Sequence, residues 1–159
     1  MDLNDRFGGL QMALHWATAA LIVGNYFFSE GMEDAFDAKM EGGAVAGWLP
    51  TYHVWAGVTL LALVVLRLIV RIRSGAPAAA QPGVAALAAK VVHMVLYAMM
   101  VAVPALGIAA WFFGIDAAAN LHVLVMNAMM LLILGHAAMA IFHHFVLRDG
   151  LLKRMMPLR

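Results

Sequence analysis

Four long stretches without a charged residue constrain this chain of 159 residues more than any other feature. They cover residues 7–29, 42–66, 91–115 and 117–147. A helix of about 20 residues crosses the hydrocarbon core of a bilayer, so each stretch is long enough to do so. The composition agrees, because 65% of the residues are hydrophobic and only 12% are charged. A soluble domain has about twice that charged fraction.

The four stretches predict an all-α membrane protein, folded as a bundle of four transmembrane helices in one integral membrane domain covering residues 1–159. The first stretch follows Asp2 and Asp5 and lacks a small-residue cleavage site, so we expect a retained helix and not a secretory signal. Pro77 and Pro82 are expected to keep the second connection non-helical. The predicted helices lie at residues 7–29, 50–73, 84–114 and 118–147.

The basic residues predict the orientation of this bundle. The N-terminus, the second connection and the C-terminus together hold nine of the ten lysines and arginines. The first connection, residues 30–49, holds Lys39 alone, along with five acidic residues. Because positive residues concentrate in cytoplasmic loops, we expect both termini in the cytoplasm and an acidic outer face.

The seven histidines are numerous for so apolar a chain, and a histidine inside a membrane is costly unless it finds a partner. Counting along the helices puts His53 and His122 in the outer half, and His15 and His136 in the inner half. His15 and His136 lie on different helices, as do His53 and His122. His122 and His136 are separated by 14 positions, which returns them to nearly the same helix face about 21 Å apart. The pattern predicts two depth-matched pairs inside the bundle.

Two opposed imidazoles inside a helical bundle suit the axial positions of a haem iron. The chain has no cysteine, so the haem would be non-covalent and b-type, and thiolate-bound zinc and iron–sulfur clusters are excluded. Three alternatives remain open from the residues alone. The histidines could be hydrogen-bonding or packing residues, members of a proton relay, or ligands of zinc or copper. A relay normally uses intramembrane Asp or Glu, which the spans lack, and no third metal ligand joins either pair.

Several short stretches carry a resemblance to a known family. They are residues 10–16 (LQMALHW), residues 52–57 (YHVWAG) continuing to Arg67 and Arg71, His93 with Tyr97, and residues 135–136 (GH) through 142–145 (FHHF) to 154–157 (RMMP). In these residues and their spacing, the sequence resembles the bacterial cytochrome b561 family, which is related to the cytochrome b subunits of nickel–iron hydrogenases.

The resemblance implies a multi-pass, di-haem protein of the bacterial inner membrane that exchanges electrons with quinone. His15 and His136 would bind an inner haem b, and His53 and His122 an outer one. The best-characterised kind of member, superoxide oxidase, takes an electron from superoxide and reduces ubiquinone. The acidic first connection departs from that pattern, because a positive surface would attract an anion.

Other activities therefore stay open. In one, the chain is a non-catalytic electron-transfer and anchor subunit that docks a partner oxidoreductase through the acidic residues 30–41. In another, it is a haem-free transporter or proton relay. The expected partners are lipid, ubiquinone, and superoxide or a redox protein as donor, with no nucleic acid.

Five further residues receive expected roles. Arg67 and Arg71 are candidates for contacts with haem propionates, or else residues that orient the helix and reach the interface. His143 and Trp16 are candidates for quinone contacts. The alternatives are a histidine bonded to lipid or water and a member of the interfacial aromatic belt. His93 is expected to make a structural hydrogen bond.

Overall fold

A computed structural model describes residues 6–75, 77 and 83–156 and is helical throughout its regular parts. A π-helical turn, His143–Leu147, and a 3₁₀ helix, Leu151–Met155, follow the last α-helix. Asp2, Asp5, Pro82 and Arg159, which entered the expectations above, lie outside the described residues. The α-helices of the described part are α1 (Gly9–Phe27), α2 (Met32–Met40), α3 (Leu49–Ser74), α4 (Val84–Phe113) and α5 (Asp116–Phe142).

Helix α2 lies in the connection for which no helix was expected. Its nine residues are too few to stand out by periodicity, but their charges suit a short helix. Glu33 and Asp34 occupy the first turn and Lys39 the last, which complements the helix dipole at both ends. The buried side chain of Ala35 fixes which face of α2 turns towards the protein.

Three segments are long and apolar enough to cross a membrane: Leu49–Ser74, Val84–Phe113 and Asp116–Leu147, with mean hydropathies of 2.1, 2.1 and 2.0. Many large apolar side chains on these segments are exposed, as lipid-facing side chains are. Helix α1 is not among the three. Its 19 residues include Gln11, His15 and Asn25, which lower its hydropathy.

The four long helices pack in chain order, α1 against α3, α3 against α4, and α4 against α5. All four contribute to one core, so the apolar centre belongs to the bundle as a whole. Val64 and Met129 are fully buried within it. The other buried members of this core are Ile22, Leu60, Leu96, Met100 and Val103.

The two ends of the bundle differ in how they are closed. At one end, named here the α2 end, α2 contacts α3, and the Met40 sulfur lies beside the left-handed Gly114 that separates α4 from α5. At the other, named the C-terminal end, the chain returns to the start of α1. There the Arg6 guanidinium donates to the Met156 carbonyl at 2.6 Å, and the Trp16 indole donates to the Met155 carbonyl at 2.8 Å.

Candidate functional site

Partly buried histidines collect in two separate groups, one towards each end of the bundle. At the α2 end, His53 near the start of α3 meets His122 of α5. At the C-terminal end, the group contains His15 of α1, Arg67 of α3, and His93 and His136 of α4 and α5. His53 and Arg67 lie towards opposite ends of α3. Each end of α3 therefore brings one of these two residues close to the histidines of neighbouring helices.

The ring centroids of His53 and His122 are 6.2 Å apart, and the ring planes meet at 76°. The spacing leaves room for one metal bound from both sides, because metal–imidazole bonds measure about 2 Å. His122 Nδ1 lies 2.8 Å from the Val103 carbonyl oxygen. A carbonyl only accepts, so Nδ1 carries the proton and Nε2 is left with a free lone pair. Metal-binding histidines are commonly oriented by such a bond.

Gly107 gives the His122 ring its space on α4. A Cβ at this position would lie 3.1 Å from Cε1 and 3.2 Å from Nδ1 of the ring. Gly107 is one helical turn beyond Val103, so the carbonyl that orients the ring and the gap that receives it lie on the same face of α4.

Asn25 of α1 contacts the main chain of His53, the other histidine of this group. Its side-chain Nδ2 donates to the His53 main-chain carbonyl at 3.3 Å. Within the described part of the chain, Asn25 Oδ1 and His53 Nδ1 are both buried and have no hydrogen-bond partner. Each such buried polar atom costs about 1–3 kcal/mol when it stays unpaired. This end of the bundle is therefore incompletely satisfied as a purely structural core.

At the C-terminal end, the Arg67 guanidinium donates to His15 Nδ1 at 2.7 Å. Since arginine only donates, His15 Nδ1 is the acceptor and its proton is on Nε2. Arg67 and Arg71 both lie over the ring of Tyr97, at 5.2 and 5.6 Å from its centroid. Among the described residues, no Asp or Glu forms a salt bridge with either arginine. Positive charge is thus concentrated in this part of the bundle without a carboxylate to balance it.

His93 and His136 are in direct contact, with ring centroids 5.2 Å apart and planes at 81°. His93 Nδ1 donates to the Ala89 carbonyl at 2.6 Å, which is the structural hydrogen bond expected of it. The contact with His136 was not expected. The C-terminal end therefore holds three imidazoles, those of His15, His93 and His136, where the sequence predicted two.

The two residues predicted to contact quinone both lie at the C-terminal end and bond to the C-terminal segment. His143 Nδ1 lies 2.5 Å from Asp149 Oδ2, and Asp149 Oδ1 accepts from the Leu151 amide at 3.0 Å. The Trp16 ring packs against the His15 ring with centroids 5.3 Å apart, while its indole nitrogen donates to Met155. His143 opens the π-helical turn, a distortion that often occurs at functional sites.

Three residues at these sites escaped the sequence reasoning. Asn25 carried a usable signal, since an asparagine in an apolar helix is expensive and normally has a partner. Gly107 and Asp149 carried none, because their roles depend on contacts between distant parts of the chain. Over the residues that the structure describes, no group of three His, Cys, Asp or Glu side chains could hold a metal by itself.

The exposed surface at the α2 end is acidic. The only basic residue of the connection, Lys39, turns inward and lies 5.4 Å from the centroid of the Trp111 ring. It therefore does little to offset the negative charge facing solvent. The acidic side chains of this connection are all exposed, namely Glu30, Glu33, Asp34, Asp37 and Glu41.

Comparison with known proteins gives matches along almost the whole chain. A family model described as prokaryotic cytochrome b561 matches residues 6–158. Cytochrome b562 of Cereibacter sphaeroides is 44% identical over 148 residues, covering 92% of each chain. Cytochrome b561 homolog 1 of Escherichia coli is 31% identical over 188 residues, covering 98% of this chain and 99% of the relative. The probable superoxide oxidase CybB of Yersinia pestis is 27% identical over 179 residues, covering 98% of each chain.

Proposed function

The chain belongs to the prokaryotic cytochrome b561 family of membrane electron-transfer proteins, and we propose that it is a di-haem member that reduces ubiquinone. Electrons would enter one at a time at the α2 end from a donor such as superoxide and leave at the C-terminal end. The observation that carries this proposal is the presence of two separate histidine groups at opposite ends of one bundle.

His53 and His122 would hold the outer haem b. Their 6.2 Å separation and the proton-free Nε2 of His122 support this pair. His15 and His136 would hold the inner haem b, where the fit requires one change. Ligation through His15 Nε2 needs the proton on Nδ1, so Arg67 must leave that nitrogen. Bound haem supplies one-electron transfer, with a potential set by its axial ligands and burial.

Arg67 and Arg71 would bind the propionates of the inner haem. The support is electrostatic, because the two guanidinium groups share the face of Tyr97 and form no salt bridge with a described carboxylate. A propionate would supply the missing negative charge and a strong, charge-assisted hydrogen bond. The arginine that leaves His15 would thus gain a better acceptor.

The membrane arrangement follows from the charges. We place the chain in the bacterial inner membrane as a single domain, residues 1–159, with α1, α3, α4 and α5 all crossing. The C-terminal end with its basic residues would face the cytoplasm, and α2 would lie outside. Packing of α1 against α3 and the place of Ile22 in the shared core support a crossing by α1.

Ubiquinone would be reduced near the C-terminal end, in contact with His143 and Trp16. Each superoxide loses one electron and becomes oxygen, so two superoxide anions deliver the two electrons that ubiquinone needs. Two protons must also arrive for ubiquinol to form. Asp149 accepts the Nδ1 proton of His143 and would stabilise its imidazolium form, so Nε2 would take up each of the two protons in turn from water and pass it to a quinone oxygen.

The haem assignment is tested by counting haem in purified variants. His53→Ala and His122→Ala are each expected to lower the haem content from two per chain to one, with loss of the same spectral component. His15→Ala and His136→Ala should remove the other component. His144→Ala is the control, because this ring packs against Phe145 and belongs to neither pair. Loss of one shared component in His53→Ala and His15→Ala would refute the pairing.

The donor is tested with the purified protein, a superoxide source and a soluble ubiquinone analogue. Reduction of the haems and formation of quinol above the spontaneous rate are expected of a superoxide oxidase. Haems that stay oxidised would exclude superoxide as the donor while leaving the haem assignment intact.

The acidic α2 end favours a second candidate, in which the chain is a non-catalytic electron-transfer and anchor subunit. The exposed carboxylates and the inward-turned Lys39 present a surface that repels an anion and attracts a basic protein. In this candidate a partner oxidoreductase docks on residues 30–41. The two candidates share the haem sites and differ only in the donor.

A further inference from the structure

The two histidine rings at the α2 end differ in the hydrogen bonding of their Nδ1 atoms. His122 already has its Nδ1 proton bound by the Val103 carbonyl, so its orientation is set by α4. His53 has no equivalent bond, and its Nδ1 is buried without a partner in the described structure. The residue next to it, Asn25, is 9% exposed and is one of two buried polar residues in the described part of the chain.

Only one of the two polar atoms of the Asn25 amide has a hydrogen-bond partner among the described residues. Nδ2 donates to the His53 main-chain carbonyl, while Oδ1 is buried and accepts nothing from the described residues. Gly57 lies beside this amide, since a Cβ there would be 3.9 Å from Asn25 Nδ2, an ordinary van der Waals distance. One unpaired acceptor on α1 therefore accompanies one unpaired ring nitrogen on α3, and the two residues are already joined by a hydrogen bond.

The position of the ring proton on a ligating His53 indicates which hydrogen bond His53 and Asn25 would form. If His53 Nε2 binds an iron, the ring proton must be on Nδ1, which then needs an acceptor. Asn25 Oδ1 is an acceptor without a donor, and small changes in the terminal torsions of the two side chains move these atoms relative to each other. The same bond would remove two buried unpaired atoms together.

We propose that Asn25 is a positioning residue for the outer haem, with its Oδ1 accepting the Nδ1 proton of His53. This inference rests on the proposed ligation of that haem by His53 and His122. The bond fixes the tautomer of His53, aims Nε2 into the space facing His122, and makes the imidazole a stronger electron donor. Stronger donation favours the oxidised iron and lowers the potential of the outer haem.

Asn25→Leu and Asn25→Asp in the purified holoprotein separate this role from a structural one. Both variants lose the Nδ2 bond to the His53 carbonyl, but only Asp keeps an acceptor at the Oδ position. Redox titration of the outer haem is expected to give a higher midpoint potential in Asn25→Leu and a lower one in Asn25→Asp. The inner haem should keep its potential in both variants and serves as an internal reference.

Asn127→Leu is the matched control, because this asparagine of α5 bonds only to the Tyr26 hydroxyl among the described residues. Its outer-haem potential should equal that of the native protein. Equal shifts in the same direction for the two Asn25 variants would assign Asn25 a structural role. Unchanged potentials would assign the His53 proton to another acceptor, such as the nearby Asn25 main chain, and would overturn the proposal. Loss of one haem in His53→Ala checks the underlying ligation independently.

Discussion

Single atoms at the two ends of the bundle set what each histidine can do. At the α2 end the Val103 carbonyl holds the proton of His122 on Nδ1, whereas at the C-terminal end Arg67 forces the proton of His15 onto Nε2. The first arrangement is ready for a metal, and the second requires an arginine to move. In the proposed di-haem protein, side chains other than the histidines would therefore decide how easily each haem enters.

Gly107→Ala tests the space for the His122 ring. The new Cβ would lie 3.1 Å from the ring, and overpacking of this kind costs about 1–3 kcal/mol. The affinity for the outer haem is expected to fall roughly 5- to 150-fold, measured by haem titration of the apoprotein. Gly135→Ala is the control, since its Cβ would meet nothing within 4 Å although it adjoins His136. Native affinity in Gly107→Ala would contradict the prediction.

Asp149→Asn tests the proton pathway. The amide keeps an oxygen for the Leu151 amide but loses the charge that orients His143. Quinone reduction by the reduced protein should slow about 10- to 100-fold, as for other groups that orient a functional histidine. Haem reduction by the donor should keep its rate. The rate of quinone reduction is measured by stopped flow. If the double variant Asp149→Asn with His143→Ala is no slower than His143→Ala alone, Asp149 and His143 act as one unit.

If electrons enter at the α2 end, as proposed, α2 would have the most influence among the helices on which donor can approach. It is held by the buried Ala35, by Lys39 beside the Trp111 ring and by the end of the partly exposed Met40 side chain beside Gly114, while its carboxylates face solvent. A helix this short is stable because it packs on the bundle and because its end charges suit the dipole. Three of the five exposed carboxylates of residues 30–41 thus lie on one nine-residue element.

Neutralising α2 with Glu33→Gln, Asp34→Asn and Asp37→Asn separates the two proposed donors. At low ionic strength, the rate with superoxide should rise several-fold and the rate with a basic redox protein should fall by a similar factor. Both effects should shrink at high salt, because exposed charges are screened within about 10 Å at 0.1 M. Rates that do not change for either donor would show that electrons do not enter past α2.

The molecule as a whole is a bundle with an apolar centre, with histidines between its helices towards both ends and many large apolar side chains exposed on its surface. Three segments meet the length and hydropathy of a membrane span, and α1 completes the core despite its polar residues. A polar helix is tolerable in a membrane when its polar side chains face neighbours. His15 and Asn25 do so, through Arg67 and His53.

The absence of cysteine allows the four-span orientation to be tested with single introduced cysteines. Gly9→Cys, Asp37→Cys and Lys153→Cys each place a thiol at an exposed position. A membrane-impermeant maleimide added to cells with a permeable outer membrane should label only Asp37→Cys. The other two should react after the inner membrane is opened. Labelling of Gly9→Cys from outside would show that α1 does not cross.

The sequence by itself determined the helical class and the approximate helix positions, because apolar length and the absence of charge are local properties. It also indicated which histidines could share a depth, since helical rise is regular. It did not reveal α2, which is too short for its pattern to stand out.

Only the tertiary structure decided which atoms bond to those histidines. The Val103 carbonyl, Gly107 and Asn25 adjoin His53 and His122 at the α2 end, while Arg67 contacts His15 and His93 contacts His136 at the C-terminal end. These contacts join different helices, and the rotation of each helix against its neighbours depends on the packing of the whole core. The end of the bundle at which a histidine lies could therefore be predicted from the sequence, whereas its hydrogen-bond partners could not.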